Sequence, residues 1–206
     1  MSIEAIAIIQ ARSGSTRFPN KIYAEIINKL SLIEVVIKRV LLAKRVSKII
    51  VATSVHHDND LIEEICAKYK VECFRGDEND VLSRFIEISE KNTSNKYIRI
   101  TADCPLIDPE IIDQAIEISH TYDYVSTDES FTDGFDVEVI DRQFFEDIKK
   151  RTYSPNDAEH VTWSLAKSEQ YLKYFLKSRL FMPNIRLSID EPDDLGVIQN
   201  ILKSLY

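Results

Sequence analysis

AIAIIQARSGSTRFPNK, Ala5 to Lys21, opens with five apolar residues and closes with a polar, cationic string. A run that is apolar at every position suits a strand covered on both faces, so the string falls at that strand's carboxyl end. In an open parallel sheet, ligands bind there. The string packs Arg12, Arg17 and Lys21 with Ser13, Gly14, Ser15 and Thr16. A triphosphate needs that mixture: cations at several points along the anion, hydroxyl donors, and a small residue that lets backbone N–H groups approach oxygens. It is not a P-loop, because GxxxxGK[ST] places a glycine just before the lysine, whereas Lys21 follows Asn20. It is not a dinucleotide fingerprint, because Gly14 stands alone. Any one of these residues also suits a solvated surface loop; the whole string, directly after a buried strand, reads as a nucleotide cradle.

Outward from this stretch, apolar β-prone runs alternate with amphipathic segments, the pattern of a parallel sheet flanked by helices. The expected strands are Ala5–Gln10, Lys48–Thr53, Val71–Phe74, Tyr97–Thr101, Tyr124–Ser126, Gly134–Ile140 and Arg186–Ile189. The expected helices are Ser31–Ala43, Asp58–Tyr69, Val81–Lys91, Pro109–His120, Arg142–Lys149 and Pro192–Tyr206. Asp58 and Asp108 are the expected caps of their helices, with Pro109 in a first turn. The chain has 206 residues, 44% of them hydrophobic, with four Gly, six Pro and no linker-like run. One α/β domain over residues 1–206, Rossmann-like with a mostly parallel sheet, is the expectation.

A formal net charge of -8 excludes a general nucleic-acid binder, which needs a cationic face to displace counterions. The start of the chain lacks the basic n-region and long h-region of a secretory leader, and no apolar run approaches the ~20 residues that span a bilayer. A cytoplasmic protein with no membrane partner is expected. Cys66, Cys73 and Cys104 are odd in number without a CxxC pair, so reduced thiols are expected, with neither disulfides nor zinc. His56, His57 and His120 read as surface or capping groups.

The string Arg12, Ser15, Arg17, Pro19, Lys21 resembles the R-x-x-S-x-R-x-P-x-K loop of the cytidylyltransferases that make CMP-linked sialic acid and CMP-linked Kdo, and of the related spore-coat polysaccharide branch. The resemblance implies a GT-A-type nucleotidyltransferase fold, phosphates held by Arg12, Ser15, Arg17 and Lys21, and a base met by backbone near Gln10 and Ala11, with Ser13 and Gly14 in the same nucleotide site. The segment GDENDVLSRF, Gly76 to Phe85, is similar to a GDxxDVLxR string of the spore-coat branch, which sets Arg75 and Arg84 at the nucleotide's border.

Two acidic strings complete the pattern. In YIRITADCPLIDPEII, Asp103 follows a predicted strand, and in RLSIDEPDDL so does Asp190. An aspartate there reads either as a turn or helix cap or as an oxygen ligand of Mg²⁺, which takes one or two protein carboxylates. The string from Ala102 to Asp108 resembles the family's x-A/G-D-x-P-L-x-D, whose first Asp is a metal ligand, and Asp190 resembles the first Asp of D-x-P-x-D-L, which supplies the other. Asp108, Asp193 and Asp194 read as caps. DGFDVEV from Asp133 and DAEHVTWSL from Asp157 resemble a strand and an EHVT helix of the spore-coat branch. Asp136 and Glu138 alternate with apolar residues, as a half-exposed strand requires, and suit either sugar hydroxyls or a solvated face. Glu159 and His160 suit acceptor orientation, with a structural imidazole the other reading of His160.

The implied reaction is attack of an acceptor oxygen on the α-phosphorus of an NTP, CTP by resemblance, with pyrophosphate leaving. Its site groups are Arg12, Arg17, Lys21 and Asp103, with Mg²⁺ on Asp103 and Asp190. The acceptor class is a sugar, sugar acid or sugar phosphate used in polysaccharide or glycan synthesis. The chain is shorter than the Kdo- and sialic-acid-activating enzymes, whose extra segment helps form a dimer, so a homodimer stays open. Two rivals share the architecture. A GT-A glycosyltransferase would carry a DxD motif, but Thr101 stands two residues before Asp103. A non-catalytic nucleotide binder would not need all five of Arg12, Arg17, Lys21, Asp103 and Asp190.

Overall fold

The computed structural model describes residues 5–179 and 185–205. In chain order the elements are β1 (Ala5–Gln10), β2 (Glu25–Ile27), β3 (Leu30–Ser31), α1 (Leu32–Val40), β4 (Val46–Ser54), α2 (Asp60–Tyr69), β5 (Glu72–Gly76), α3 (Val81–Lys91), β6 (Lys96–Thr101), α4 (Pro109–Ile118), β7 (Tyr124–Thr127), β8 (Glu138–Asp141), α5 (Arg142–Ile148), α6 (Pro155–His160), α7 (Trp163–Lys167), β9 (Lys173–Leu176) and α8 (Pro192–Leu205). Seven strands form one sheet in the order β5-β4-β1-β6-β8-β7-β9. All its pairs are parallel except β6 with β8 and β8 with β7. This is the expected α/β class with a mostly parallel sheet.

β1 lies between β4 and β6, so both its faces are covered and its alternation splits between two cores. Ala5, Ala7 and Ile9 join the cluster under α1, α2, α4 and α8. Ile6 and Ile8 join the cluster under α3 and α5, with Phe85, Tyr97 and Phe145. Because β1 is central, its carboxyl end, where the polar string begins, sits mid-sheet. Among the described residues no helix is long and apolar enough to cross a membrane, and all three cysteines are free.

Several expected boundaries change. Val71–Phe74 becomes Glu72–Gly76, and Gly134–Ile140 contracts to Glu138–Asp141, because Gly134 has φ +107° and the Phe135 N–H turns back onto the Thr132 carbonyl at 3.2 Å. The expected strand Arg186–Ile189 pairs in no ladder. β6 already has β1 and β8 as neighbours, so this segment lies extended against loops, through a bridge of Asp133 with Arg186 and a bond from the Ile189 N–H to the Asp103 carbonyl at 2.8 Å. Asp108 does cap α4, through the Glu110 N–H. Asp58 does not cap α2: it lies in a short 3-10 turn, and Asn59 takes the N-cap position. The EHVT string is not one helix, since α6 ends at His160 and α7 begins at Trp163. Tyr206, the expected last helical residue, lies outside the described residues.

Candidate active site

Three segments meet beyond the carboxyl ends of β1 and β6. The loop after β1 is folded by its own backbone: the Ser13 carbonyl accepts from Ser15 N–H at 2.8 Å and Asn20 N–H at 3.1 Å, and Asn20 adopts the left-handed region that asparagine tolerates. Ser13 is buried, and its N–H donates to Asn59 Oδ1 at 2.8 Å, while the Asn59 amide donates to Ser54 Oγ at 2.8 Å. Asn59 therefore spends its side chain on tying the loop to β4 instead of capping α2.

The loop delivers Lys21 to the acidic segments. Its Nζ donates to Asp103 Oδ2 at 3.0 Å, Asp190 Oδ1 at 3.1 Å and the Ile189 carbonyl at 2.7 Å. Arg17 Nη2 also reaches Asp190 Oδ1, at 3.0 Å. Two carboxylates 87 positions apart thus converge on one ammonium. Burial alone would raise the Asp103 carboxyl, but the Lys21 charge and hydrogen bond outweigh it and hold it below its ordinary value. Hard oxygen donors that gather round one cation suit a divalent cation, so the residues fit Mg²⁺.

Gly134 sets the position of Asp190. A Cβ on it would stand 2.6 Å from the Leu187 carbonyl carbon and 2.8 Å from the Ser188 nitrogen. Gly134→Ala is expected to lower stability by about 1–3 kcal/mol, from strain at positive φ, and to push the segment carrying Asp190 outward. Thermal unfolding checks this; an unchanged midpoint would show that the approach of the two backbones is not needed.

A pocket of about 350 Å³ opens over these groups. Gln10, Ala11, Arg12, Gly14 and Ser15 line it from the loop side, with Arg17 and Lys21. Asp103, Asp190, Arg84, Glu159 and His160 line it as well. Other expected residues stand elsewhere. Arg75 is drawn to Asp60 at 2.6 Å, Glu63 at 3.1 Å and the His56 carbonyl, away from the pocket. The Ser13 side chain is buried behind the loop, and Asp136 is exposed on the turn beside Gly134, whose N–H it accepts at 3.2 Å. His56, His57 and Asp58 form an exposed cluster on the outer surface.

Glu138 is internal. It accepts from Arg99 Nη1, from the Tyr124 hydroxyl, and from Thr162 Oγ1 at 2.6 Å. Burial would raise its carboxyl, and Arg99 holds it down. Arg99 Nε in turn donates to Gln10 Oε1 at 2.9 Å. This relay fixes the Gln10 amide with its NH₂ free to donate, because its oxygen is taken. Thr162 is delivered by a strained turn: Val161 has φ 58° and ψ -55°, and the Thr162 N–H bonds the His160 carbonyl at 2.5 Å across it. Sequence reasoning missed Arg99, Asn59, Tyr124 and Thr162. Arg99 alone carried a signal, a charge between Ile98 and Ile100 whose burial demands a partner.

A family model for cytidylyltransferases matches residues 6–203. A protein of Methanocaldococcus jannaschii is 32% identical over 206 residues, covering 98% of this chain and 84% of its own. The spore coat polysaccharide biosynthesis protein of Bacillus subtilis is 31% identical over 215 residues, covering 98% of this chain and 86% of its own. Among solved structures, a cytidylyltransferase from Leptospira borgpetersenii superposes with a TM-score of 0.92 at 24% identity, covering 98% of this chain and 87% of that one. A CMP:2-keto-3-deoxy-manno-octonic acid synthetase complexed with CTP superposes with a TM-score of 0.76 at 16% identity, covering 98% and 100%. These structural likenesses are of fold.

Proposed function

The chain belongs to the cytidylyltransferase family, and from that premise we propose that it transfers CMP from CTP to an oxygen of a sugar acid or related sugar acceptor, releasing pyrophosphate. The observation that carries this reading is the meeting of the Arg12–Lys21 loop with Asp103 and Asp190 over one pocket. The names of two similar proteins, a synthetase complexed with CTP and a spore coat polysaccharide biosynthesis protein, support CTP as donor and a surface polysaccharide as destination.

The acceptor oxygen attacks the α-phosphorus in line; the new P–O bond forms as the bond to the β-phosphate oxygen breaks, and the electron pair leaves with pyrophosphate. Such a transfer needs no nucleophilic side chain, so positioning and charge neutralisation carry the rate. Arg12 and Arg17 face the departing phosphates, and Lys21 stands where the loop meets the carboxylates. Asp103 and Asp190 would hold Mg²⁺, which supplies charge neutralisation on phosphate oxygens. Glu159 and His160, which also line the pocket, border the acceptor.

Arg17→Ala is expected to weaken binding of CTP with Mg²⁺ by about 1.5–3 kcal/mol, the range of a hydrogen bond to a charged group. Calorimetry reads this directly; wild-type affinity in the variant would remove Arg17 from the phosphate site. Among the four NTPs, CTP with Mg²⁺ should raise the unfolding midpoint most, since only a ligand of the folded state stabilises it. A larger rise with ATP or GTP would replace the donor assignment.

A further inference from the structure

The turn between β4 and α2 is fixed in its backbone and exposed in its side chains. The His56 N–H donates to Ser54 Oγ at 3.2 Å, and the His56 carbonyl accepts from the Asn59 N–H and from Arg75 Nη2, each at 3.0 Å. The Tyr23 hydroxyl donates to the Asp58 carbonyl at 2.8 Å. Asn59, in the same turn, holds the Ser13 N–H and Ser54 Oγ. Yet the side chains of His56, His57 and Asp58 all stand in solvent.

Those three side chains converge. His56 Nδ1 lies 3.3 Å from Asp58 Oδ2, His57 Nε2 lies 3.0 Å from Asp58 Oδ1, and the centres of the two imidazoles are 4.3 Å apart. One ligand atom from each residue lies within 4.8 Å of the other two. A metal ion with bonds of about 2.0–2.2 Å holds its ligands up to about 4 Å apart, so a small rotation of the exposed His57 ring closes the set. His56 Nδ1 also accepts the Asp58 N–H at 3.4 Å, which means that it presents a lone pair beside a carboxylate oxygen. Two acceptors so placed call for a cation between them, and the bond given up to it is long and weak. The nearby Arg75 guanidinium opposes a cation little, because Asp60 and Glu63 match its charge.

The donor set differs from that of Asp103 and Asp190, which offers carboxylates alone. Two imidazoles beside one carboxylate select a borderline ion such as zinc over magnesium, and three protein ligands leave a coordination position to water. We propose that His56, His57 and Asp58 bind a divalent transition-metal ion of the zinc class, outside the catalytic pocket, and that the bound ion braces the turn whose Asn59 anchors the loop after β1. The site does not depend on the nucleotide reading, and its test contains no nucleotide.

Zinc is the probe, titrated calorimetrically into the metal-stripped full chain with Mg²⁺ in excess to occupy the carboxylates of the pocket. His56→Asn and His57→Asn should each lose at least the tenfold or so in zinc affinity that removing even an outer partner of a metal site costs. His120→Asn, which alters an imidazole elsewhere on the surface, should keep wild-type affinity. The His57 side chain is largely in solvent, so His57→Asn should fold as wild type does, and it alone reads the site if His56→Asn disturbs the turn. Hydrogen exchange reads the brace: zinc should slow exchange of the Asn59 amide, which closes the turn onto the His56 carbonyl, in wild type and not in His57→Asn. No zinc binding by wild type, equal affinity in wild type and His57→Asn, a loss in His120→Asn as large as theirs, or an Asn59 amide that exchanges as fast with zinc as without it overturns the proposal.

Discussion

Replacing Asp103 or Asp190 by Asn is expected to lower pyrophosphate release by about 10²-fold or more, the scale of losing one preorganised charge at a developing phosphate. Both carboxylates touch the Lys21 ammonium, and both line the pocket. Asparagine keeps the shape and one oxygen but removes the charge that would balance a divalent cation. The fold should survive, since Lys21 retains the other carboxylate and the Ile189 carbonyl. The loss should fall on turnover, with the requirement for Mg²⁺ shifted to higher concentration. The lowered Asp103 carboxyl adds a pH consequence. A depressed folded-state value stabilises the fold above the ordinary carboxylate range, and that contribution disappears as pH falls through the folded value. Asp103→Asn should therefore lose less stability than wild type on acidification. Unchanged turnover in both variants would remove the pair from the reaction.

The second large effect is on stability. Glu138→Leu leaves Arg99 buried without its carboxylate and leaves the Tyr124 and Thr162 hydroxyls without their acceptor. Removing one partner of a buried pair costs about 3–5 kcal/mol. Glu138→Leu with Arg99→Met should recover much of that loss, because an apolar pair of similar volume carries no stranded charge. The double variant also frees the Gln10 amide, whose oxygen Arg99 now holds, so its affinity for nucleotide should remain reduced although its fold has recovered. Chemical denaturation of the three proteins separates these outcomes. A single variant costing under about 1 kcal/mol would mean that the relay contributes little.

The parallel half of the fold was readable because its strands are apolar on both faces and its helices carry a clear periodicity. Ala5–Gln10 and Val81–Lys91 have their predicted ends. The second half was harder, for physical reasons that belong to particular residues. β8 is antiparallel and short because Gly134 turns the chain before it, and the segment before Asp190 is extended without a ladder because β6 has no free edge. Three short elements, α6, α7 and β9, and the β2–β3 hairpin gave no periodic signal of sufficient length.

The site divides in the same way. Cations and hydroxyls clustered within ten positions mark a phosphate loop on composition alone, whereas Asp103 and Asp190 stand out only by motif resemblance, and the fold brings them to one ammonium. Asn59 and Thr162 were invisible because their work depends on partners 46 and 24 positions away. Glu138 looked like half of an exposed acidic pair; only its antiparallel register opposite Arg99 turns it inward. Arg84 closes the GDxxDVLxR string and Arg75 directly precedes it, yet they part, Arg75 to Asp60 and Glu63, Arg84 to the pocket.

The most direct measurement is pyrophosphate release by the wild-type chain from each of the four NTPs, with and without Mg²⁺, across a panel of sugar acids and sugar phosphates. The account predicts release from CTP with at least one acidic sugar acceptor, abolished by EDTA and restored by Mg²⁺. Release that persists in EDTA, or a preference for a purine triphosphate, would contradict it.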